Sequence, residues 1–266
     1  MSEIPLLRYS PIPRRLLRVA AILIYVFLYG PMAVLVLYSF SEPKIMTFPV
    51  TDFSLKWYGI LARNDQLLRS VANSFIVALS VIPLSLLMGG LAAFAIDRFE
   101  FPGRGFFERL LMLPLMVPGL ITGLAILLLI KRFEIALSLA TVILGHSIAW
   151  MPVVTAQLLA RLRRLDRRIE EASLDLGARR FETFLRVTLP NLRAAILGSA
   201  LLVFTLSFDE VAITFFLTGK DNTLPMQIWS MLRLGITPEI SAIATITITV
   251  SFVLIVASLR LLQRDR

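Results

Sequence analysis

The hydrophobic pattern of the chain consists of long apolar runs separated by short charged segments. Five runs contain no Asp, Glu, Lys or Arg: residues 19–40, 70–96, 110–130, 135–160 and 240–259. A sixth run, residues 189–219, is long enough if Arg193 lies at its entrance and Asp209 and Glu210 lie inside it or at its exit. Because a helix crosses a bilayer with roughly 20 apolar residues, the pattern predicts an all-α polytopic membrane protein with six transmembrane helices.

The composition supports this prediction. The 266 residues are 57% hydrophobic and 17% charged, whereas soluble domains carry roughly 45–50% apolar and about 25% charged residues. A soluble enzyme is therefore disfavoured, and the absence of cysteine disfavours a disulfide-stapled scaffold. The first apolar run is longer than the roughly 7–15 residues of a signal-peptide core, so we interpret it as the first span.

The net charge of +9 is distributed unevenly along the chain. With the N-terminus inside, the predicted inner segments hold 18 Lys and Arg residues and the outer segments hold 8. Cytoplasmic loops of membrane proteins carry this kind of excess. We therefore expect a cytoplasmic segment over residues 1–18, a transmembrane domain over residues 19–266, a cytoplasmic C-terminus and no nucleic-acid partner.

Motifs for catalysis are missing from the sequence. It contains no phosphate-binding loop of the G-x-x-x-x-G-K-[ST] type, and one His without Cys does not supply the ligands of a nitrogen- and sulfur-rich metal site. We therefore expect no directly bound metal or cofactor, so energy for transport would come from a partner or an ion gradient. We interpret His146, within an uncharged run, as a hydrogen-bonded histidine between helices rather than part of a polar pathway.

Proline and glycine interrupt the third predicted span. Its interrupting residues are Pro114, Pro118, Gly119 and Gly123. Proline removes backbone hydrogen bonds and glycine allows another helix to approach closely. Both a kinked helix that lines a pathway and ordinary helix packing are compatible with this pattern.

The longest predicted inner segment, residues 161–188, has a helical pattern of its own. Its apolar positions recur at helical spacing: Leu162, Leu165, Ile169, Ala172 and Leu176. Asp166 is suited to be the N-cap, and Gly177 the residue after the C-cap, of a helix of about ten residues. Composition alone leaves two roles open: a helix lying on the membrane surface and a helix covered by a partner.

This segment resembles the EAA signature, E-A-A-x3-G-x9-I-x-L-P, of permease subunits of binding-protein-dependent ABC importers. The matching residues are Glu171-Ala172-Ser173, Gly177 and Val187-Thr188-Leu189-Pro190, with Ser173 and Val187 as departures. The resemblance implies the type I importer permease fold, in which this loop forms a coupling helix that binds a separate ATPase subunit. The residues to which it assigns coupling are Glu170, Glu171, Ala172, Ser173, Asp175, Gly177, Leu189 and Pro190.

The same resemblance implies several partners in a bacterial inner membrane. They are a second homologous permease subunit, a cytosolic ATPase dimer that binds ATP and Mg²⁺, and an extracytoplasmic substrate-binding protein. A self-sufficient secondary transporter is the alternative from a different functional class.

A second region is similar to the second permease of spermidine/putrescine importers. The matching segments are Ser207-Phe208-Asp209-Glu210, Thr223-Leu224-Pro225-Met226 and Pro238-Glu239-Ile240-Ser241-Ala242-Ile243-Ala244-Thr245. This similarity implies polyamine uptake, with another small solute of the same importer family as the alternative.

Acidic residues within an apolar run are candidates for a cation pathway. Because acids are costly inside a membrane, Asp209 and Glu210 are expected to offer carboxylates to a passing ammonium group. Ser207 and Trp150, the latter through a cation–π contact, complete the predicted pathway set. In the alternative interpretation, the two acids mark the outer end of the fifth span and meet only headgroups and water.

Overall fold

The structure is a computed structural model that describes residues 14–43, 49–50 and 52–264, with the side chains of residues 14, 251 and 253–264 excepted. Its helices are α1 (Arg14–Tyr38), α2 (Lys56–Leu61), α3 (Asp65–Arg98), α4 (Arg104–Met116), α5 (Gly119–Arg132), α6 (Leu139–Leu162), α7 (Arg167–Asp175), α8 (Arg180–Thr183), α9 (Leu189–Phe208), α10 (Ala212–Leu217), α11 (Leu224–Leu234) and α12 (Pro238–Arg264). A π-turn, Phe184–Thr188, joins α8 to α9. Within the described residues the only pairing of extended backbone is an isolated bridge between Ser41 and Phe53, so the all-α prediction is confirmed.

The predicted inner segments at the two ends of the chain lie partly outside this description. Residues 1–13 of the N-terminal segment and residues 265–266 of the C-terminal tail are not described. The orientation assigned to both termini therefore stays a prediction.

The chain divides into two compact units. The terminal unit comprises the described parts of residues 1–64 and 231–266, where α1 and α2 both pack against α12. In this unit the Trp57 indole N–H donates to the Ser41 carbonyl at 2.7 Å, and the Ser39 and Tyr58 hydroxyls are 2.8 Å apart. These bonds fix the segment that follows α1.

The central unit comprises residues 65–230 and is built on three helices, α3, α6 and α9, that pack against one another. Its core consists of buried aliphatic side chains from all three helices, including Val81, Val154 and Val203. A Cβ at Gly89 of α3 would lie 2.7 Å from the Met151 carbonyl oxygen of α6. Small residues allow this closeness between helices in membranes, so glycine sets the α3–α6 distance.

Four described helices are long and apolar enough to cross a membrane: α1, α3, α6 and the continuous helix Arg180–Phe208. The prediction of a multi-pass membrane protein is therefore confirmed. The helix α12 extends over 27 residues, but its side chains are described in full only as far as Val250. The count of six spans stays a prediction.

The third predicted span is not one continuous helix. The helices α4 and α5 meet at an angle of 108°, because Val117 is extended (ψ 133°) and Pro118 follows it with φ −53° and ψ 137°. Proline disfavours a helical conformation in the residue before it, and it has no N–H with which to continue the hydrogen-bond ladder. The chain therefore breaks between α4 and α5, either as a broken span or as a re-entrant loop.

The fourth and fifth spans begin and end at different residues than predicted. The helix α6 begins only after Ser138, whose backbone is extended and whose N–H donates to the Thr141 hydroxyl at 2.9 Å. The fifth span begins at Arg180 rather than at residue 189, and it ends at Phe208 rather than at residue 219. Residues 209–211 then separate it from α10, so the predicted run 189–219 consists of two helices.

Candidate functional site

The helix α7 has the boundaries that its end signals predict. The Asp166 carboxylate accepts a hydrogen bond from the Arg168 N–H at 3.0 Å, which satisfies a backbone donor of the first turn. Gly177 has φ +87°, the left-handed conformation that glycine adopts without a Cβ penalty. Both predicted caps are confirmed, and the helix between them has nine residues.

One face of α7 is polar and turned towards the rest of the central unit. Arg167, Glu170 and Ser173 follow one another at intervals of three, so they share one face. The Glu170 side chain is 14% exposed and lies 2.7 Å from Arg98 Nη2 at the end of α3. The Ser173 and Thr183 hydroxyls are 3.0 Å apart, which joins α7 to α8.

The opposite face of α7 is exposed. It includes Glu171, Ala172 and Asp175, and Leu176 beyond the last turn is 89% exposed. The predicted apolar stripe is therefore only partly correct: Leu162 is buried as the last residue of α6 and Leu165 is half-buried, whereas the later members are exposed. The exposed face therefore combines apolar and charged side chains, and it is available to a partner.

Charged groups around Glu170 form one cluster that the sequence did not predict. Arg98 Nε lies 3.3 Å from the Asp97 carboxylate, whose side chain is 5% exposed, and Arg167 Nη2 lies 3.4 Å from the same carboxylate. The Thr188 hydroxyl donates to Glu170 Oε1. Arg98 and Glu170 are 72 residues apart in sequence, so no local spacing signals their contact.

The last two predicted coupling residues, Leu189 and Pro190, follow the π-turn at the start of α9. Leu189 is half-buried and Pro190 is exposed. Turns of π geometry occur mostly as single insertions in helices and frequently mark functional positions. The EAA-like residues thus extend from an exposed helix to an irregular turn at the base of the fifth span.

The two acids predicted to line a pathway have different environments. Asp209 is exposed, and its carboxylate has no hydrogen bond or ion pair with any described residue. Glu210 is half-buried, and its Oε1 accepts the Ile213 N–H at 2.9 Å, which caps the first turn of α10. The two acids therefore lie at the end of the fifth span, and only Asp209 has a free carboxylate.

Next to these two acids, α10 packs closely on α5 and α6. A Cβ at Gly123 of α5 would lie 3.0 Å from the Ile213 Cα, and one at Gly119 would lie 3.3 Å from the Ala212 Cβ. Two of the glycines that interrupt the third predicted span thus provide room for α10. Packing therefore accounts for these glycines.

His146 connects three segments of the central unit, as predicted for a hydrogen-bonded histidine between helices. This fully buried ring of α6 lies 2.9 Å from the Ser207 hydroxyl through Nδ1 and 2.9 Å from the Thr214 hydroxyl through Nε2. The Thr214 hydroxyl donates its hydrogen to the Glu210 carbonyl oxygen at 3.0 Å. It must therefore accept from Nε2–H, and a neutral ring then accepts from Ser207 through Nδ1.

This network also locates the remaining predicted pathway residues. Ser207 is buried and has its hydroxyl committed to His146, so it faces the interior of the unit. Trp150 is half-buried, and its indole N–H has no hydrogen-bond partner among the described residues. The described residues contain no group of three His, Asp or Glu side chains able to hold a metal ion.

Comparison with known proteins identifies the family. Residues 82–265 match the model of the binding-protein-dependent transport system inner membrane component. The chain belongs to this family. The EAA-like segment lies inside the matched region.

Two relatives from Escherichia coli (strain K12) are similar over most of their length. The putrescine transport system permease protein PotI is 38% identical over 89% of this chain and 87% of its own. The spermidine/putrescine transport system permease protein PotC is 34% identical over 91% of this chain and 92% of its own. As a member of their family, this chain is a permease subunit.

Solved structures of the same kind share the fold. A chain of a bacterial ABC transporter involved in the import of the acidic polysaccharide alginate superimposes with a TM-score of 0.68 at 16% identity, over 96% of this chain and 98% of that chain. A chain of the methionine ABC transporter MetNI superimposes with a TM-score of 0.60 at 13% identity, over 80% of this chain and 100% of that chain. The ABC importer permease fold predicted from the EAA-like residues is confirmed.

Proposed function

We propose that this permease subunit forms part of the pathway for import of polyamines such as putrescine and spermidine. The similarity to PotI and PotC, at 38% and 34% identity over about nine-tenths of the chain, supports this substrate class. The two relatives are named for transport of linear di- and triamines, which are cationic at neutral pH. A pathway for them needs acceptor oxygens and negative charge.

Asp209 supplies such a group in this proposal. Its carboxylate is free and exposed at the end of the fifth span, and an ammonium group binds a carboxylate through charge-assisted hydrogen bonds. Glu210 and Ser207 support this site indirectly: Glu210 caps α10, and Ser207 is hydrogen-bonded to His146. Trp150 offers a π face to the amine in the same pathway.

The proposed partner of α7 is an ATPase subunit. The exposed side of α7 combines Ala172 and Leu176 with two acids, Glu171 and Asp175, and one base, Arg168. Its net negative charge suits an apolar groove with a basic rim. A dimer of this ATPase binds ATP and Mg²⁺ and drives the cycle. A second permease completes the pathway, and an extracytoplasmic binding protein delivers the substrate.

The proposed setting is the bacterial inner membrane, with α7 and both termini on the cytoplasmic side. The bias of 18 basic residues to 8 supports this orientation. The position of α7 between α6 and the fifth span supports it further, because both flanking helices are long enough to cross the membrane. ATP binding by the partner then moves α7, and the two states of the pathway interconvert.

Reconstitution of the full importer in proteoliposomes tests this function. We expect ATP-dependent uptake of labelled putrescine or spermidine in the presence of the binding protein, and no uptake by this permease without the ATPase. Uptake by the permease alone, driven by an ion gradient, would identify a secondary transporter. ATP-dependent uptake that is stimulated by other solutes, but not by amines, would refute the polyamine assignment.

A further inference from the structure

The inward face of α7 is tied to two other helices through a single carboxylate. Glu170 lies 2.7 Å from Arg98 Nη2 and accepts the Thr188 hydroxyl. Arg98 is the last residue of α3, and Thr188 is the last residue of the π-turn that leads into α9. Glu170 therefore connects α7 to the ends of α3 and α9 at once.

The ion pair is embedded in a neutral set of four charges. Asp97 holds Arg98 through Nε at 3.3 Å, and Arg167 holds the Asp97 carboxylate at 3.4 Å and its carbonyl at 3.0 Å. Asp97 and Glu170 side chains are only 5% and 14% exposed. Hydrogen bonds between charged groups are stronger than neutral ones, and removal of one partner leaves a poorly solvated charge unpaired.

We propose that these contacts transmit movement of α7 to the membrane-spanning helices. The transmitting residues, which we call the strut, are Asp97, Arg98, Glu170 and Thr188. Glu170 is then a positioning residue that faces the permease, whereas the exposed Glu171 beside it faces the ATPase. This inference rests on the proposed function of α7 as the helix that binds the ATPase.

The connections of α7 explain why it needs the strut. Short turns connect α7 to α6 on one side and to α8 on the other, where Gly177 lies. No atom lies within 4 Å of the position that a Cβ on Gly177 would occupy. Turns of this kind let α7 rotate relative to the spans. With the strut in place, a displacement of α7 also displaces α3 and α9. Without the strut, the turns absorb part of that displacement.

Coupling efficiency of the assembled importer tests the strut. Glu170→Gln keeps an acceptor for Thr188 but removes the charge that binds Arg98, and Thr188→Val removes the hydroxyl. Glu108→Gln is the matched control, because it breaks an ion pair with Arg163 at 3.0 Å that does not include α7. The measurement is the number of putrescine molecules transported per ATP hydrolysed, with loaded binding protein present.

We expect Glu170→Gln to lower this ratio by about tenfold, because a hydrogen bond to a charged group shifts an equilibrium by a decade or more. We expect Thr188→Val to lower it less, by about threefold, since the ion pair of Glu170 with Arg98 remains in this variant. The Glu108→Gln control keeps the ratio of the unmodified importer. The ATPase subunit co-purifies with each of these variants.

Three outcomes would overturn the strut. The first is an unchanged ratio in both Glu170→Gln and Thr188→Val. The second is an equal decrease of the ratio in the Glu108→Gln control. The third is loss of the ATPase subunit from Glu170→Gln on purification, which would make Glu170 a direct contact of the ATPase. If the Glu170→Gln permease does not insert into the membrane, the transport-to-ATP ratio of Thr188→Val alone tests the strut. Leu176→Glu tests the underlying function separately: if this variant keeps the ATPase subunit and normal uptake, α7 is not the docking helix.

Discussion

Two neighbouring glycines of α3 provide a sharp test of how closely α3 and α6 pack. A Cβ at Gly89 would lie 2.7 Å from both the Met151 carbonyl oxygen and the Val154 Cβ. A Cβ at Gly90 would meet only the Leu158 Cδ1, at 3.6 Å, which is ordinary contact. We therefore expect Gly89→Ala and Gly90→Ala to have opposite effects on stability.

The size of each effect follows from these distances. At Gly89 the new methyl group is about 0.7 Å short of ordinary contact with backbone that cannot turn aside, so the helices must separate. Overpacking of this kind costs about 1–3 kcal/mol, and it also stretches the hydrogen bond from the Thr155 hydroxyl to the Gly89 carbonyl. Alanine at Gly90 stabilises the helix by about 0.5–1 kcal/mol relative to glycine.

Unfolding of the purified permease in detergent measures the difference. The fluorescence of its three tryptophans reports the transition, and for a chain of this size each kcal/mol corresponds to roughly 2–4 °C in Tm. Gly89→Ala should melt several degrees below the unmodified chain, and Gly90→Ala at or slightly above it. Equal melting temperatures for the two variants would show that α3 and α6 do not approach closely at Gly89.

Three further predictions concern Gly177, His146 and the two acids Asp209 and Glu210. Gly177→Ala should lower the free energy of unfolding by about 1–2 kcal/mol through backbone strain alone, since φ is +87° and no atom lies near the position of a Cβ. Gly177→Asn should lower it less in the same melting experiment, and equal decreases would contradict a left-handed turn. His146→Ala should cost about 2–4 kcal/mol, because it leaves a buried cavity and the Ser207 hydroxyl without a partner, while Thr214 keeps its bond to the Glu210 carbonyl. The ¹⁵N spectra of the single histidine should show the Nε2–H tautomer, and an Nδ1–H ring would contradict the network. Asp209→Asn should reduce putrescine uptake more than Glu210→Gln, which keeps the acceptor for the α10 cap; the reverse order would refute the assignment of the free carboxylate.

Features with a local cause were predictable from the sequence. Asp166 and Gly177 end α7 where expected because caps depend on a side chain and a backbone angle within one turn. His146 was correctly expected to be hydrogen-bonded because a polar ring in an apolar run needs partners. The EAA-like residues predicted the family for the same reason, since their spacing is contained in one loop.

Features that depend on distant segments were not predictable. The break at Pro118 was visible as a proline, but neither its 108° angle nor the packing of α10 against α5, which comes from a segment far along the chain, has a local signal. Asp209 and Glu210 looked equivalent in sequence, and only the position of the Ile213 N–H distinguishes the capping acid from the free one. The contact of Arg98 with Glu170 joins residues whose separation of 72 positions has no periodic signal.

The charges on the exposed side of α7 favour one of the two roles that its sequence left open. A helix that lies on a membrane turns its apolar side to the lipid and flanks it with Lys and Arg, because the headgroups of the inner leaflet are anionic. The apolar side of α7 is flanked instead by two exposed acids, Glu171 and Asp175, which anionic lipid repels. Of its two arginines, Arg167 pairs with Asp97 on the opposite side, and Arg168 is exposed on the same side as the two acids, where it leaves an excess of negative charge. The exposed face therefore fits a protein surface with basic residues around an apolar groove better than it fits a lipid surface.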